Sequence, residues 1–145
     1  MVKASQMNVM QKLAWVYAVL FLLVVVLGYI PGLTNAEGQL FGLFSLELQD
    51  DALHLGSAIW AALAAWLSAR ASTFYFKLFG SVYCLDGIIG LMFGQGFLDG
   101  GIFIHGITRL DVVTKVMTNL PHIVIGGTAV LIGFVVSRIW ANHAS

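Results

Sequence analysis

Apolar residues fall into four long runs, separated by stretches that mix glycine, amide and acidic residues. The first run, Leu13–Ile30, is eighteen residues without a charge. At about 1.5 Å per residue it reaches roughly 27 Å, enough to cross a hydrocarbon core. The second opens after Asp50-Asp51, carries the Ala-rich stretch Ala58–Ala65 and closes at Arg70. The third runs Phe74–Phe93 with Lys77 near its start and Asp86 near its middle, and the fourth runs Leu120–Trp140. The pattern predicts helices over 13–30, 52–69, 74–93 and 120–140, with outer loops over 31–51 and 94–119. Lys3 and Lys12 before the first run and Thr34-Asn35-Ala36 after it have the layout of a cleaved leader. Leader cores are about 7–15 residues, so a retained helix is expected.

Lysine and arginine set the orientation. Lys3, Lys12, Arg70, Lys77 and Arg138 lie on the tails and the short second connection, against only Arg109 and Lys115 on the two longer ones. The positive-inside rule puts both termini in the cytoplasm and the longer loops outside. The first loop holds Glu37, Glu47, Asp50 and Asp51 and no basic residue. Segments such as Gln39–Phe44 and Gly101–Ile104 alternate apolar residues with glycine or polar ones, which suits chain lying in the interface or folded back over a bundle.

Composition narrows the function classes. Of 145 residues, 59% are hydrophobic and 10% charged, and mean hydropathy is +0.91. Four spans use roughly 80 positions, and no polar stretch is long enough to fold as a catalytic domain of its own. Seven basic against seven acidic residues give no net charge and no reason to expect a nucleic-acid partner. One cysteine, Cys84, forms no intrachain disulfide and no metal site alone. The expectation is one all-α domain, 1–145: an integral membrane four-helix bundle in a bacterial cytoplasmic membrane, in contact with lipid and open to a homo-oligomer or larger complex.

A weak internal repeat refines this into two tandem helical hairpins. Val16-Tyr17 recurs as Val82-Tyr83, Gly28 falls on Gly94, and Gly38-Gln39-Leu40-Phe41 on Gly100-Gly101-Ile102-Phe103. Each half then reaches Asp51-Ala52-Leu53-His54 or Asn119-Leu120-Pro121-His122. Such a parallel repeat implies a pseudo-two-fold axis along the membrane normal, with His54 and His122 at matching depth. Leu40–Phe44 leading into Asp51–Gly56, with the second Asn-x-x-His, resembles the bacterial family catalogued as domain of unknown function 4383, of four predicted membrane helices. That family's second helix opens with an Asn-x-x-His-x-x-x-Gly-like pattern; here Asp51 replaces the Asn and the glycine is displaced to Gly56. The resemblance implies a four-helix membrane protein and no particular activity.

Candidate chemistry gathers on few residues. Asp51 and Asn119 read as N-caps of the second and fourth helices, with Pro121 in the first turn and each histidine at the third position. The alternative is a ligand pair: His54 and His122 on parallel helices as the axial ligands of a b-type haem or as metal ligands, with Ala58, Gly126 and Gly127 leaving room. Asp86 is expensive in a span and is expected to face the interior, as a polar network or a proton site, with Tyr17, Ser57 or Thr128 as partner. His105, His143, Asp50, Asp99 and Asp111 read as solvated. No phosphate loop, nucleophile triad, zinc-helix motif or dinucleotide fingerprint occurs. The leading functional expectation is a non-enzymatic structural or accessory membrane protein without cofactor. The alternatives are a haem b or metal protein through His54 and His122, and a small proton-coupled transporter through Asp86.

Overall fold

The computed structural model describes residues 7–36, 38–42, 44–45 and 48–143. Lys3, Leu43, Glu37 and Glu47, which the orientation and loop arguments used, lie outside the described residues, as does the His143 side chain. The regular structure of the described chain is helical, apart from a small hairpin.

Helix α1 spans Val9–Gly28. Asn8 caps it with its side chain on Met10 N, and Gln11 returns a side-chain bond to Asn8 N, so the helix begins four residues before the apolar run. After it, β1 (Gln39–Leu40) pairs antiparallel with β2 (Phe44–Ser45), Leu40 opposite Phe44. This hairpin is an addition to the all-α expectation; Leu40 is buried and β1 lies against α1. Helix α2 (Leu48–Leu67) and α3 (Ala69–Phe93) are joined by Ser68 alone, whose hydroxyl caps α3 at Ala71 N. A five-residue α4 (Gly101–His105) follows in the second long loop. Helix α5 (Val112–Leu131) continues through a π-helical turn (Ile132–Val136) into α6 (Ser137–His143).

The expected helix starts are corrected: α2 begins at Leu48 rather than 52, and α3 at Ala69 rather than 74. The fourth helix starts at Val112, not near 120, because Asp111 caps it, its carboxylate accepting Thr114 N at 3.0 Å and the Thr114 hydroxyl at 2.5 Å. Asn119 and Pro121 therefore sit inside α5, and Asp51 sits inside α2, so neither Asp51 nor Asn119 is an N-cap. Pro121 is tolerated there as proline is in membrane helices, where neighbouring groups take up the freed carbonyl.

The helices pair α1 with α2 and α3 with α5, through small residues in both cases. On α2 the buried stripe is His54, Ser57, Ala58, Ala61, Ala64 and Ala65, which is helical i, i+3, i+4 spacing. Between α3 and α5 the backbones nearly touch. A Cβ on Gly80 would stand 2.6 Å from Val130 N, one on Gly126 would stand 2.3 Å from Cys84 N, and one on Gly133 would stand 2.8 Å from Lys77 N. Gly80/Gly87 and Gly126/Gly133 repeat at seven residues, so one seam of each helix carries the approach. The room foreseen at Gly126 for a flat macrocycle is thus occupied by α3. An aromatic column runs up α3: Tyr75 on Phe79 at 4.9 Å, then Phe79 on Tyr83 at 4.8 Å between ring centroids. Phe21 and Tyr17 of α1 meet it edge-on.

The exterior is apolar on every long helix: Val16, Leu23, Leu63, Phe74, Met92 and Val124 are each about half exposed or more. Three helical stretches, Val9–Gly28, Ala69–Phe93 and Val112–Ala141, are long and apolar enough to cross a membrane. The sequence pattern predicted four; α2 has the length, but Gln49, Asp50, Asp51 and His54 at its start lower its apolarity. A bundle with an apolar skin and buried polar groups is the arrangement of a membrane protein, whose solvent is lipid.

Candidate functional site

The polar interior lies toward the loop end of the bundle and is built around Asp86. This residue is on α3, two turns before the helix ends, and is 1% exposed. Its Oδ2 is 2.6 Å from His122 Nδ1 of α5. Its Oδ1 accepts two backbone N–H groups, Phe97 at 2.6 Å and Leu98 at 2.8 Å. With Asp86 ionised the carboxylate only accepts, so His122 Nδ1 then carries the shared proton and three donors converge on one buried charge. None of the foreseen partners is among them. Tyr17 donates to Ile125 O at 2.9 Å, Thr128 donates to Val124 O at 2.7 Å within its own helix, and buried Ser57 lines a separate apolar groove with Trp60 and Phe79.

The local chain explains how the loop reaches Asp86. Helix α3 stops at Gly94, whose φ of 85° is left-handed and whose N–H returns to Gly90 O. The backbone then folds over the helix end, with Thr108 N bonding Phe93 O at 2.9 Å. Gly96 passes so close that a Cβ there would stand 2.7 Å from both Asp86 carboxylate oxygens. A side chain at 96 and a carboxylate at 86 exclude each other, which is why this turn is Gly-Gln-Gly.

Tyr83 joins the two histidines. It lies three residues before Asp86 on the same helical face. Its ring stacks on the His122 imidazole, centroids 4.5 Å apart, and its hydroxyl is 3.3 Å from His54 Nε2 on α2. Phe21 stacks on His54 with ring centroids 5.8 Å apart. Three long helices thus contribute to one connected set: His54, Tyr83, His122 and Asp86. The buried Nδ1 of His54 has no hydrogen-bond partner among the described residues.

Asp51, Asn119 and Tyr17 stand apart from this set. Asp51 Oδ2 accepts the Tyr29 hydroxyl at 2.5 Å, and its buried Oδ1 has no hydrogen-bond partner among the described residues. This bond raises the Tyr29 phenol above its ordinary value, since the deprotonated phenol would lose it and face a carboxylate. Asn119 packs against Gly90 and donates its amide to Lys115 O at 2.8 Å. Lys77 lies 5.2 Å over the Phe134 ring, a cation–π contact that accounts for a charge in a span. No group of three metal-binding side chains occurs among the described residues.

Above the set is a cavity of about 670 Å³, in the range of small-molecule sites. His54, Tyr83, Asp86 and His122 form part of its wall, and the start of α2, the second long loop and the start of α5 supply Asp50, Asp99, His105, Thr114 and Thr118. His105, Asp50 and Asp99, read from sequence as solvated, therefore face the same space. Tyr83 is the residue the sequence reading missed as chemistry. Its signal was the spacing Tyr75, Phe79, Tyr83 followed by Asp86, which places aromatic rings and a carboxylate on one face.

Fold and site together define a polytopic helical membrane protein with a polar, cavity-lining cluster at the end of its bundle. The chain belongs to the family described as domain of unknown function (DUF4383), whose profile matches residues 11–126. No curated protein and no solved structure matches it.

Proposed function

We propose that this chain is a four-span protein of a bacterial cytoplasmic membrane, arranged as two tandem hairpins with both termini inside. In this reading it acts as a non-enzymatic accessory protein that binds a small molecule in the cavity at its outer end. The observation that carries the reading is the set His54–Tyr83–His122–Asp86, buried beneath a 670 Å³ cavity in a bundle whose outside is apolar. Buried polar groups inside a membrane bundle are expensive and mark function. For α2 as a fourth span, the support is its outer face: Ile59, Leu63, Trp66 and Leu67 are exposed like the lipid faces of the other helices.

The two other readings have less behind them. A haem b held by His54 and His122 needs a free nitrogen on each ring facing one iron. His54 Nε2 meets the Tyr83 hydroxyl instead, the Tyr83 ring covers the face of His122, and Gly126 offers no slot. A Soret band in purified protein would restore that reading. Proton transport needs water on both sides of Asp86, whereas the stacked column Tyr83, Phe79 and Tyr75 fills the core below it.

Cysteine labelling in sealed inverted and right-side-out vesicles tests the proposal, in a Cys84→Ala background. A membrane-impermeant methanethiosulfonate reagent added outside is expected to label Thr118→Cys on the cavity wall. It is expected to spare Arg70→Cys at the α2–α3 turn until the vesicle is inverted, and to spare Ser72→Cys throughout. Outside labelling of Arg70→Cys refutes the orientation, and an inert Thr118→Cys refutes an accessible cavity.

A further inference from the structure

We infer that the groove between α2 and α3 is a second ligand site, for a bilayer-soluble carbonyl compound: an apolar body carrying a ketone- or quinone-type oxygen. This site is separate from the outer cavity and does not depend on what binds there. The groove has a volume of about 410 Å³, and Ala52, Gly56, Ser57 and Trp60 of α2 face Leu78 and Phe79 of α3 across it. The spacing 52, 56, 60 sets one stripe of α2 along the groove. Space remains there because the stripe is small: a Cβ on Gly56 would meet nothing within 4 Å. Ala52, Gly56, Trp60 and Leu78 are exposed, so the groove opens outward and continues into the apolar exterior at Ile59, Leu63 and Leu85. A ligand therefore arrives through the bilayer and must itself be apolar.

One hydroxyl decides the chemistry. Ser72, Thr73, Ser81, Thr118, Thr128 and Ser137 each donate to the carbonyl four residues back, which satisfies a hydroxyl within its own helix. Ser57 makes no hydrogen bond to any described residue, although it is only 6% exposed. Its oxygen is not sealed in the core but opens on the groove. A hydroxyl in apolar surroundings costs free energy until it is bonded. The spare group is the O–H that the other six give to a carbonyl, so an acceptor oxygen completes it. Depth narrows the source. Ser57 stands about 13 Å along α2 from Leu48 and about 15 Å from Leu67, near the middle of the helix. Phospholipid ester oxygens stay at the edges of a hydrocarbon core about 30 Å thick. An acyl chain fills the groove but leaves the hydroxyl unmet, and so does an apolar side chain from a second copy. A carbonyl on an apolar body meets it. The Trp60 and Phe79 rings, held against Tyr75 at 5.1 and 4.9 Å between centroids, are aromatic walls for that body.

Photolabelling of the full chain in phosphatidylcholine vesicles tests this. Benzophenone, an apolar aromatic ketone, is irradiated with the protein and its adducts are mapped by mass spectrometry. Fluorenone and its carbonyl-free counterpart fluorene are the competitors. Saturable labelling is expected within 52–60 and 78–82. Fluorenone is expected to compete about fivefold better than fluorene, the worth of one hydrogen bond. In Ser57→Ala the two competitors are expected to become equal, with the micelle unfolding curve unchanged because no bond within the protein is lost. Gly56→Leu is expected to fill the groove and abolish the labelling, and Ala52→Leu, on the same rim, is the second filling variant. Equal competition by fluorene in the unmodified chain overturns the carbonyl inference in favour of an acyl chain. A fluorenone preference retained in Ser57→Ala, or labelling retained in both filling variants, overturns it as well. Labelling that grows as the protein is diluted into excess lipid reports a second copy in the groove and overturns it. Adducts spread evenly over the apolar exterior overturn the site itself.

Discussion

Gly126→Ala is the sharpest test of how α3 and α5 hold the site. An ideal Cβ at 126 stands 2.3 Å from Cys84 N, 2.7 Å from Cys84 Cα and 2.9 Å from Tyr83 C, all backbone atoms of a helix with no free end to yield. Relaxed heavy-atom contact begins near 3.5 Å, so the helices must part by roughly 1 Å at that point. The same seam holds Gly80 against Ala129 and Gly133 against Lys77, so a local wedge loosens packing over two heptads. Overpacking of this kind costs about 1–3 kcal/mol, and the better helix propensity of alanine returns up to ~1 kcal/mol. Net destabilisation of about 1–2 kcal/mol is expected. The neighbouring Gly127 is an internal control: a Cβ there meets nothing within 4 Å, so Gly127→Ala is expected to be neutral or slightly stabilising. Reversible unfolding in mixed dodecyl sulfate micelles, followed by tryptophan fluorescence and far-ultraviolet dichroism, compares the two. If the two variants unfold together, the backbone approach of α3 to α5 is wrong, and with it the placement of His122, one turn away, against Asp86.

The remaining predictions concern the polar set and the loops. Asp86→Ala strands the His122 N–H and two backbone N–H groups in a buried site; a loss of about 3–5 kcal/mol is expected, with fast amide exchange at Phe97 and Leu98, whereas protected amides there would refute the clasp. Gly96→Ala is expected to expel the loop from the carboxylate without touching the helices, giving the same exchange pattern at Phe97 and Leu98 with the micelle unfolding curve little changed. Tyr83→Phe keeps both ring stacks and removes one hydrogen bond, so a loss of about 1 kcal/mol is expected along with a shifted His54 side-chain nitrogen resonance and an unshifted His122. The Thr114 hydroxyl and amide hold the Asp111 carboxyl below its ordinary value of 3.8. A depressed value means the cap is fully present above pH 3.8 and is lost as pH falls through the lower folded-state value, so exchange of Thr114 N–H should accelerate only in that acid window. Asp111→Asn should abolish the pH dependence while keeping much of the cap.

What the sequence made legible follows from what leaves a local trace. The apolar runs marked all four long helices because a lipid-facing surface must be apolar whatever it packs against. Helix starts were less visible where the first turns are mixed. Val112–Asn119 carries two threonines, a lysine and an asparagine, so the run seemed to begin at Leu120, although Asp111 followed three residues later by Thr114 is a capping signal. The Asx-x-x-His spacing of Asp51 with His54 and of Asn119 with His122 was read as a cap followed by the third helical position, but both pairs sit inside their helices. Asp86 was legible as a residue that had to face inward. Its partners were not, because two of the three are backbone N–H groups of a loop, which no side-chain pattern encodes; only the Gly-Gln-Gly turn hints that chain must pass close to something.

The proposed two-hairpin arrangement gains meaning from the places where its halves differ. Tyr17 on α1 reaches across to α5 at Ile125 O, and its counterpart Tyr83 on α3 reaches across to α2 at His54. This crossed pair is what a pseudo-two-fold axis between hairpins would produce. The same alignment sets Asp86 against Leu20, and the Gly-Gln-Gly turn against a segment that leads into a β-hairpin rather than α4. One half therefore has a histidine without a carboxylate to orient it, and the other has both. A symmetric pair of imidazoles would suit a shared central group; an imidazole fixed by Asp86 on one side and an imidazole with an open nitrogen on the other suit a ligand bound to one side of the axis. Placing a carboxylate in the first half, Leu20→Asp, is expected to prevent folding unless a donor is supplied, because no loop N–H returns to that position among the described residues. Recovery of a folded Leu20→Asp chain with wild-type micelle stability would show that the asymmetry is incidental.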